Sequence, residues 1–239
     1  MKKLVFISVV CFAFLQGCSK GTPEQAPVTP VNPKPAEIAK KAVEPQSAPI
    51  AKADKNIPLT QYQELNSGKQ LLFTYLTLST MPVEFEKISE TISEQYRRES
   101  DEFKKRDILT ALKPGIESEI AKAKNSRYFF IDVDASLDKY DFGSKSFSIP
   151  ELAESSAYRY FFDVSSYRLT FTNPQAFSKL QVPDETQARN IESLRAKYSA
   201  IKVRVYFFAA DTKLGETVVQ GEITKVKVMD AKGNTLAEI

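Results

Sequence analysis

Hydrophobic positions change their spacing four times along this 239-residue chain. A short apolar run fills positions 4–15, behind Lys2 and Lys3. From 19 to about 56 the pattern inverts: no aromatic residue occurs, and prolines stand at 23, 27, 30, 33, 35, 45 and 49. A helical period follows. Leu71, Leu72, Tyr75, Leu76 and Ser79 share one stripe, ended by Met81-Pro82, and Phe85, Ile88, Ile92 and Tyr96 continue it in a second segment. Thr60-x-x-Gln63 reads as a capping box ahead of the first stripe. A third segment, about 100–124, keeps Leu109, Leu112, Ile116, Ile120 and Ala123 in register, although Lys113-Pro114-Gly115 interrupts it. Proline inside a helix costs ~3 kcal/mol or more, so this segment predicts two consecutive helices or one sharply kinked helix.

From Arg127 onwards the residues turn aromatic and β-branched, and residues 127–134, 147–149, 158–164 and 167–172 predict strands. One helix intervenes, opened by Pro183-Asp184 and carrying Ala188, Ile191, Leu194 and Tyr198 on one face. Residues 201–210 and 218–229 predict a long antiparallel pair, and 230–234 a turn into a last short strand ending at Ile239. Helices first and strands later define an α+β fold: N-terminal helices packed on an antiparallel sheet or small sandwich, in a single domain over 57–239.

The start of the chain speaks to location. A basic pair, a short apolar core and a small residue before a cut form an export signal, too short to span a bilayer, which takes roughly 20 apolar residues. Leu15-Gln16-Gly17-Cys18 resembles the lipobox of bacterial lipoproteins, with Gln16 bulkier and more polar than the usual occupant. The resemblance implies a diacylglyceryl thioether on Cys18, cleavage between Gly17 and Cys18, and acylation of the new amine. Residues 1–17 would then be the signal peptide, and 18–56 the lipid anchor and a disordered, partly polyproline-II tether reaching at most on the order of 100 Å. Ser19, where an inner-membrane family member tends to carry Asp, implies an outer-membrane anchor facing the periplasm. The plain alternative is an ordinary signal peptide with an incidental cysteine.

Composition then narrows the chemistry. The 2 cysteines are Cys11 and Cys18, so processing at the lipobox would leave no free thiol and no disulfide. With His 0, Ser-His-Asp and Cys-His nucleophiles, imidazole metal ligands and a histidine switch are excluded. The formal net charge is +3, of which Lys2 and Lys3 belong to the signal, and no basic block marks a nucleic-acid partner.

Three stretches invite a chemical reading. Arg127-Tyr128-Phe129-Phe130, Arg159-Tyr160-Phe161-Phe162 and Arg204-Val205-Tyr206-Phe207-Phe208 could stack on glycan rings, or be central strands covered on both faces. Asp132, Asp134, Asp138 and Asp141 invite comparison with a calcium loop or a glycosidase carboxylate pair. Leu137, however, stands where the calcium loop needs glycine, and a solvated turn is the simpler reading. Residues 99–107 alternate in charge around Phe103, as a docking face or a solvated helix entry would. Ser79, Ser165 and Ser166 lack the settings of a catalytic serine. No catalytic residue, metal ligand or cofactor is assigned. Residues 103–107 and 140–142 also resemble stretches of uncharacterised bacterial lipoprotein domains, which implies no activity. The expectation is a membrane-anchored periplasmic lipoprotein with a non-enzymatic binding or assembly domain for an envelope protein or glycan. A carboxylate-dependent hydrolase of envelope glycan is the alternative.

Overall fold

Elements follow one another as the periods predict in the computed structural model, which describes residues 51–134, 136–154, 159–199, 201–213 and 215–239. A two-residue strand, β1 (Gln63–Glu64), precedes four helices: α1 (Gly68–Leu78), α2 (Phe85–Ile92), α3 (Glu94–Arg98) and α4 (Glu102–Lys124). Strands β2 (Tyr128–Asp134), β3 (Ser146–Ser148), β4 (Arg159–Tyr160), β5 (Arg168–Phe171) and β6 (Lys179–Gln181) come next. Helix α5 (Glu185–Ala196) then leads to β7 (Lys202–Thr212), β8 (Val218–Met229) and β9 (Thr235–Glu238). The described residues belong to one compact unit, and the fold is α+β. The lipobox, Gly17 and Cys18 included, lies outside the described residues.

Helix entries follow side-chain acceptors. Ser67, not Thr60, caps α1: its Oγ accepts the Gln70 N–H at 3.2 Å, while Gln70 Oε1 accepts the Asn66 N–H at 2.9 Å. Thr60 sits in a 3-10 turn at Leu59–Gln61 and Gln63 in β1, because only Ser67 stands directly before the apolar run. The stripe from Phe85 to Tyr96 is split at Ser93, whose Oγ caps α3 through the Tyr96 N–H. In contrast, α4 runs through Pro114 as one helix of 23 residues, with Asp101 capping its start. Tyr198, expected on the buried face of α5, lies beyond the helix end at φ 53° and is 96% exposed.

The main sheet runs β1-β2-β7-β8-β5-β4, with β9 on the second half of β8, while β3 and β6 pair apart. Its ladders are antiparallel except β1–β2 and β5–β8, so the sheet is mixed rather than purely antiparallel. β5 reaches β8 only through α5 and β7, a connection long enough for parallel pairing. The long β7–β8 pair stands as predicted, with bulges at Tyr206/Phe207 and Ala209/Asp211. On one face Phe129, Val203, Val205, Phe207, Ile223, Leu169 and Phe171 meet Leu71, Leu72 and Ile116 of the helices. Gly221 makes this possible: a Cβ there would lie 2.8 Å from Phe207 and 3.2 Å from Phe171. On the other face Tyr62 sets its ring edge-on to Tyr128 and Tyr206, at 5.3 Å from each, and its hydroxyl lies 2.9 Å from Thr224 Oγ1. The aromatic runs of β2 and β7 are thus core strands covered on both faces there.

Candidate functional site: the seam of the curled sheet

The third aromatic run has a different fate. Only Arg159 and Tyr160 pair with β5; Phe162 enters a 3-10 turn (Phe162–Val164), and Tyr158 lies outside the described residues. The sheet curls until this last strand faces the first ones. Glu64, Leu65 and Asn66 from the β1 end, Ile131, Asp132 and Val133 of β2, and Arg159, Tyr160 and Phe161 line one groove of about 460 Å³.

Two ties hold the seam. At one end Asp163 accepts the Gly68 N–H at 2.7 Å and the Lys69 N–H at 3.2 Å, capping α1 from across the sheet. Burial works against this carboxylate, but four backbone N–H groups outweigh it and hold its pKa below the usual range. Gly68 is needed here, since a Cβ would lie 2.7 Å from the Val164 carbonyl oxygen. At the other end Ser136, just past β2, donates its N–H and Oγ to Glu151 Oε1 at 2.8 and 3.0 Å. Arg159 Nη2 in turn donates to the Glu151 carbonyl at 3.0 Å.

Between these ties the groove has a defined chemistry. Leu65 N–H donates to the Phe130 carbonyl, and Ala209 N–H to that of Arg127. Alternation along a strand then turns even-numbered β2 residues towards β1 and odd ones towards β7. Because β1 ends at Glu64, no strand lies beside the N–H and C=O of Asp132 among the described residues. Arg159 lies 5.2 Å from the Phe171 ring centroid, and burial pulls its pKa below the ordinary arginine range, partly offset by the Glu151 carboxylate. Glu151 Oε2 is buried with no hydrogen-bond partner among the described residues. At the lip, Tyr160 and Phe162 form an edge-on pair at 5.7 Å, 52% and 93% exposed.

The aspartates do not form one site. Asp132 is held by Arg204, which donates from Nε at 2.6 Å and Nη2 at 2.9 Å while stacking 4.3 Å from the Phe130 ring centroid. That hydrogen-bonded pairing lifts Arg204 above the usual arginine range. Asp141 closes a local turn, accepting Ser144 Oγ at 2.7 Å and Gly143 N–H at 2.8 Å, and the Ser144 hydroxyl is the largest cause of its lowered pKa. Asp138 is exposed, Leu137 belongs to the core, and the Asp134 side chain lies outside the described part. Among the described residues no three histidine, cysteine or carboxylate side chains gather as a metal site requires. The charged stretch 99–107 is a helix entry: Glu99 accepts the Ser100 and Asp101 N–H groups, Asp101 caps α4, and Lys105 reaches the Tyr96 ring at 5.0 Å. Ser79 and Ser165 end helical turns, and the Ser166 carbonyl accepts Thr217 Oγ1.

Sequence reasoning singled out Arg159-Tyr160 and Asp132 but not Gly68, Glu151 or Asp163. No local pattern distinguishes those three. Among curated proteins and among solved structures nothing matches this chain. Residues 83–191, which carry β2, β4, Glu151 and the stretches 103–107 and 140–142, match the family described as a domain of unknown function, DUF4852.

Proposed function

We propose that this chain is a lipid-anchored envelope protein, held through Cys18 in the outer membrane and facing the periplasm. Residues 57–239 serve as a non-enzymatic binding module for an extended envelope polymer, engaged at the seam. The observation that carries this reading is the exposed Tyr160–Phe162 pair beside a groove where, among the described residues, no strand pairs with Asp132 on the β1 side. Aromatic faces and edge backbone suit a flexible polymer that lies along a surface. The alternative, a hydrolase of envelope glycan, needs two free carboxylates across one bond. Both oxygens of Asp132 are occupied by Arg204, and those of Asp141 by its own turn.

A photo-crosslinking residue at position 160 of the full chain, in intact cells, tests the reading against a Cys18→Ala control. Capture of one envelope glycan or protein by the anchored form, lost together with membrane fractionation in Cys18→Ala, is the expected result. Membrane fractionation unchanged in Cys18→Ala would end the anchor. Capture from position 160 unchanged after Phe162→Ala would end the seam as the site.

A further inference from the structure

A separate groove lies between α1 and α4, with a volume of about 700 Å³. This falls within the range of small-ligand sites, roughly 300–1,000 Å³. Phe73 of α1, Leu112 and Ile116 of α4, Ile92 at the end of α2 and Phe129 on the sheet make its wall apolar. Its polar lining comes from helix ends: Ser67, Lys69 and Gln70 from the start of α1, Glu119, Lys122 and Ser126 from the end of α4, and Gln63 of β1. The start of α1 and the end of α4 thus supply charges and hydroxyls, while the helix middles supply hydrocarbon.

The α4 wall contains a second clue. Pro114-Gly115 sits within an unbroken helix, although proline and glycine are the two residues least suited to a helix interior. Packing does not require the glycine, since a Cβ at position 115 would meet nothing within 4 Å. Gly115 is exposed and lines the groove. A larger residue would favour the helix and fill the groove.

From Leu112 to Ser126 the wall follows α4 and its end for about 21 Å at the helical rise. A single acyl chain covers about half of the ~30 Å hydrocarbon core of a bilayer, and so fits this length. Two lysines against one glutamate favour an anionic head, and while Lys122 is paired with Glu119 at 2.6 Å, no carboxylate pairs with Lys69 among the described residues. We propose that the α1–α4 groove binds a single-chain anionic amphiphile, its tail along Gly115 and its head at Lys69 and Lys122. This site is independent of the seam.

The test uses the full chain carrying Cys18→Ala, so that no acyl group of its own competes, with 11-(dansylamino)undecanoic acid as fluorescent probe. The expected result is saturable binding that palmitate and a lysophosphatidate both displace. Palmitate methyl ester should displace it at least about tenfold less well. Gly115→Leu should weaken probe binding by about tenfold or more while raising the melting temperature, which separates a filled groove from a broken fold. Lys69→Glu should weaken palmitate and leave the methyl ester unchanged. Probe binding untouched by Gly115→Leu overturns the proposal, and so does equal displacement by acid and ester. Displacement by lysophosphatidate alone would assign the head to phosphate and overturn the fatty-acid arm.

Discussion

Single residues decide whether the seam closes, and Asp163 is the clearest case. Its carboxylate caps a helix that begins 95 residues earlier in the chain. Its pKa is lower folded than unfolded, where a free aspartate sits near 3.9. The contribution is therefore complete above the unfolded value and is lost as pH falls through the folded one. Asp163→Ala is expected to cost about 1 kcal/mol at neutral pH, the usual scale for a lost cap. Urea titrations should show its gap from the parent chain narrowing as pH drops from about 4 through the lower folded value, below which the carboxyl is protonated in both states. A gap constant down to pH 2 would mean that the side chain acts through packing and not through charge.

At the scale of elements, closure depends on two backbones touching, α1 at Gly68 and the 3-10 turn at Val164. Gly68→Ala is expected to destabilise by about 1–3 kcal/mol in chemical denaturation, the scale of overpacking, although alanine is the better helix former. An unchanged midpoint would show that the turn gives way freely. The same contact explains what could be read in advance. Residues 127–130 and 159–162 carry the same letters, Arg-Tyr-Phe-Phe, yet one lies in a core strand and the other ends at a lip. β2 pairs along its whole length with β7, whereas β4 has two partners in β5 before Asp163 turns the chain towards α1. Local pattern marks strand-forming residues; the partner that makes a strand long is set by distant chain. Likewise, Pro114 left two helices or one kinked helix open, and α4 is one helix, started by its cap at Asp101 and held by Ile116 in the core. The candidate site was legible where chemistry shows in the letters, at Arg159, Tyr160 and Asp132. Glu151 and Gly68 join the candidate site only through the fold.

For the whole molecule, the sheet order has a consequence in time. The strand that joins the two halves, β7, is paired on one side with β2 and on the other with β8. Asp132 meets Arg204 across a separation of 72 residues, so the centre of the sheet cannot assemble until its last quarter exists. Contacts this distant close large loops first and slow folding. A chain ending at residue 199 should therefore melt without a cooperative transition, and circular dichroism should show helix without the sheet; a sharp transition would place the nucleus in the helices. A polypeptide that withholds its core until its C-terminal strands arrive stays threadable while it is being synthesised. That is the state in which a chain can pass through a narrow translocation pore before it becomes an object too large to do so.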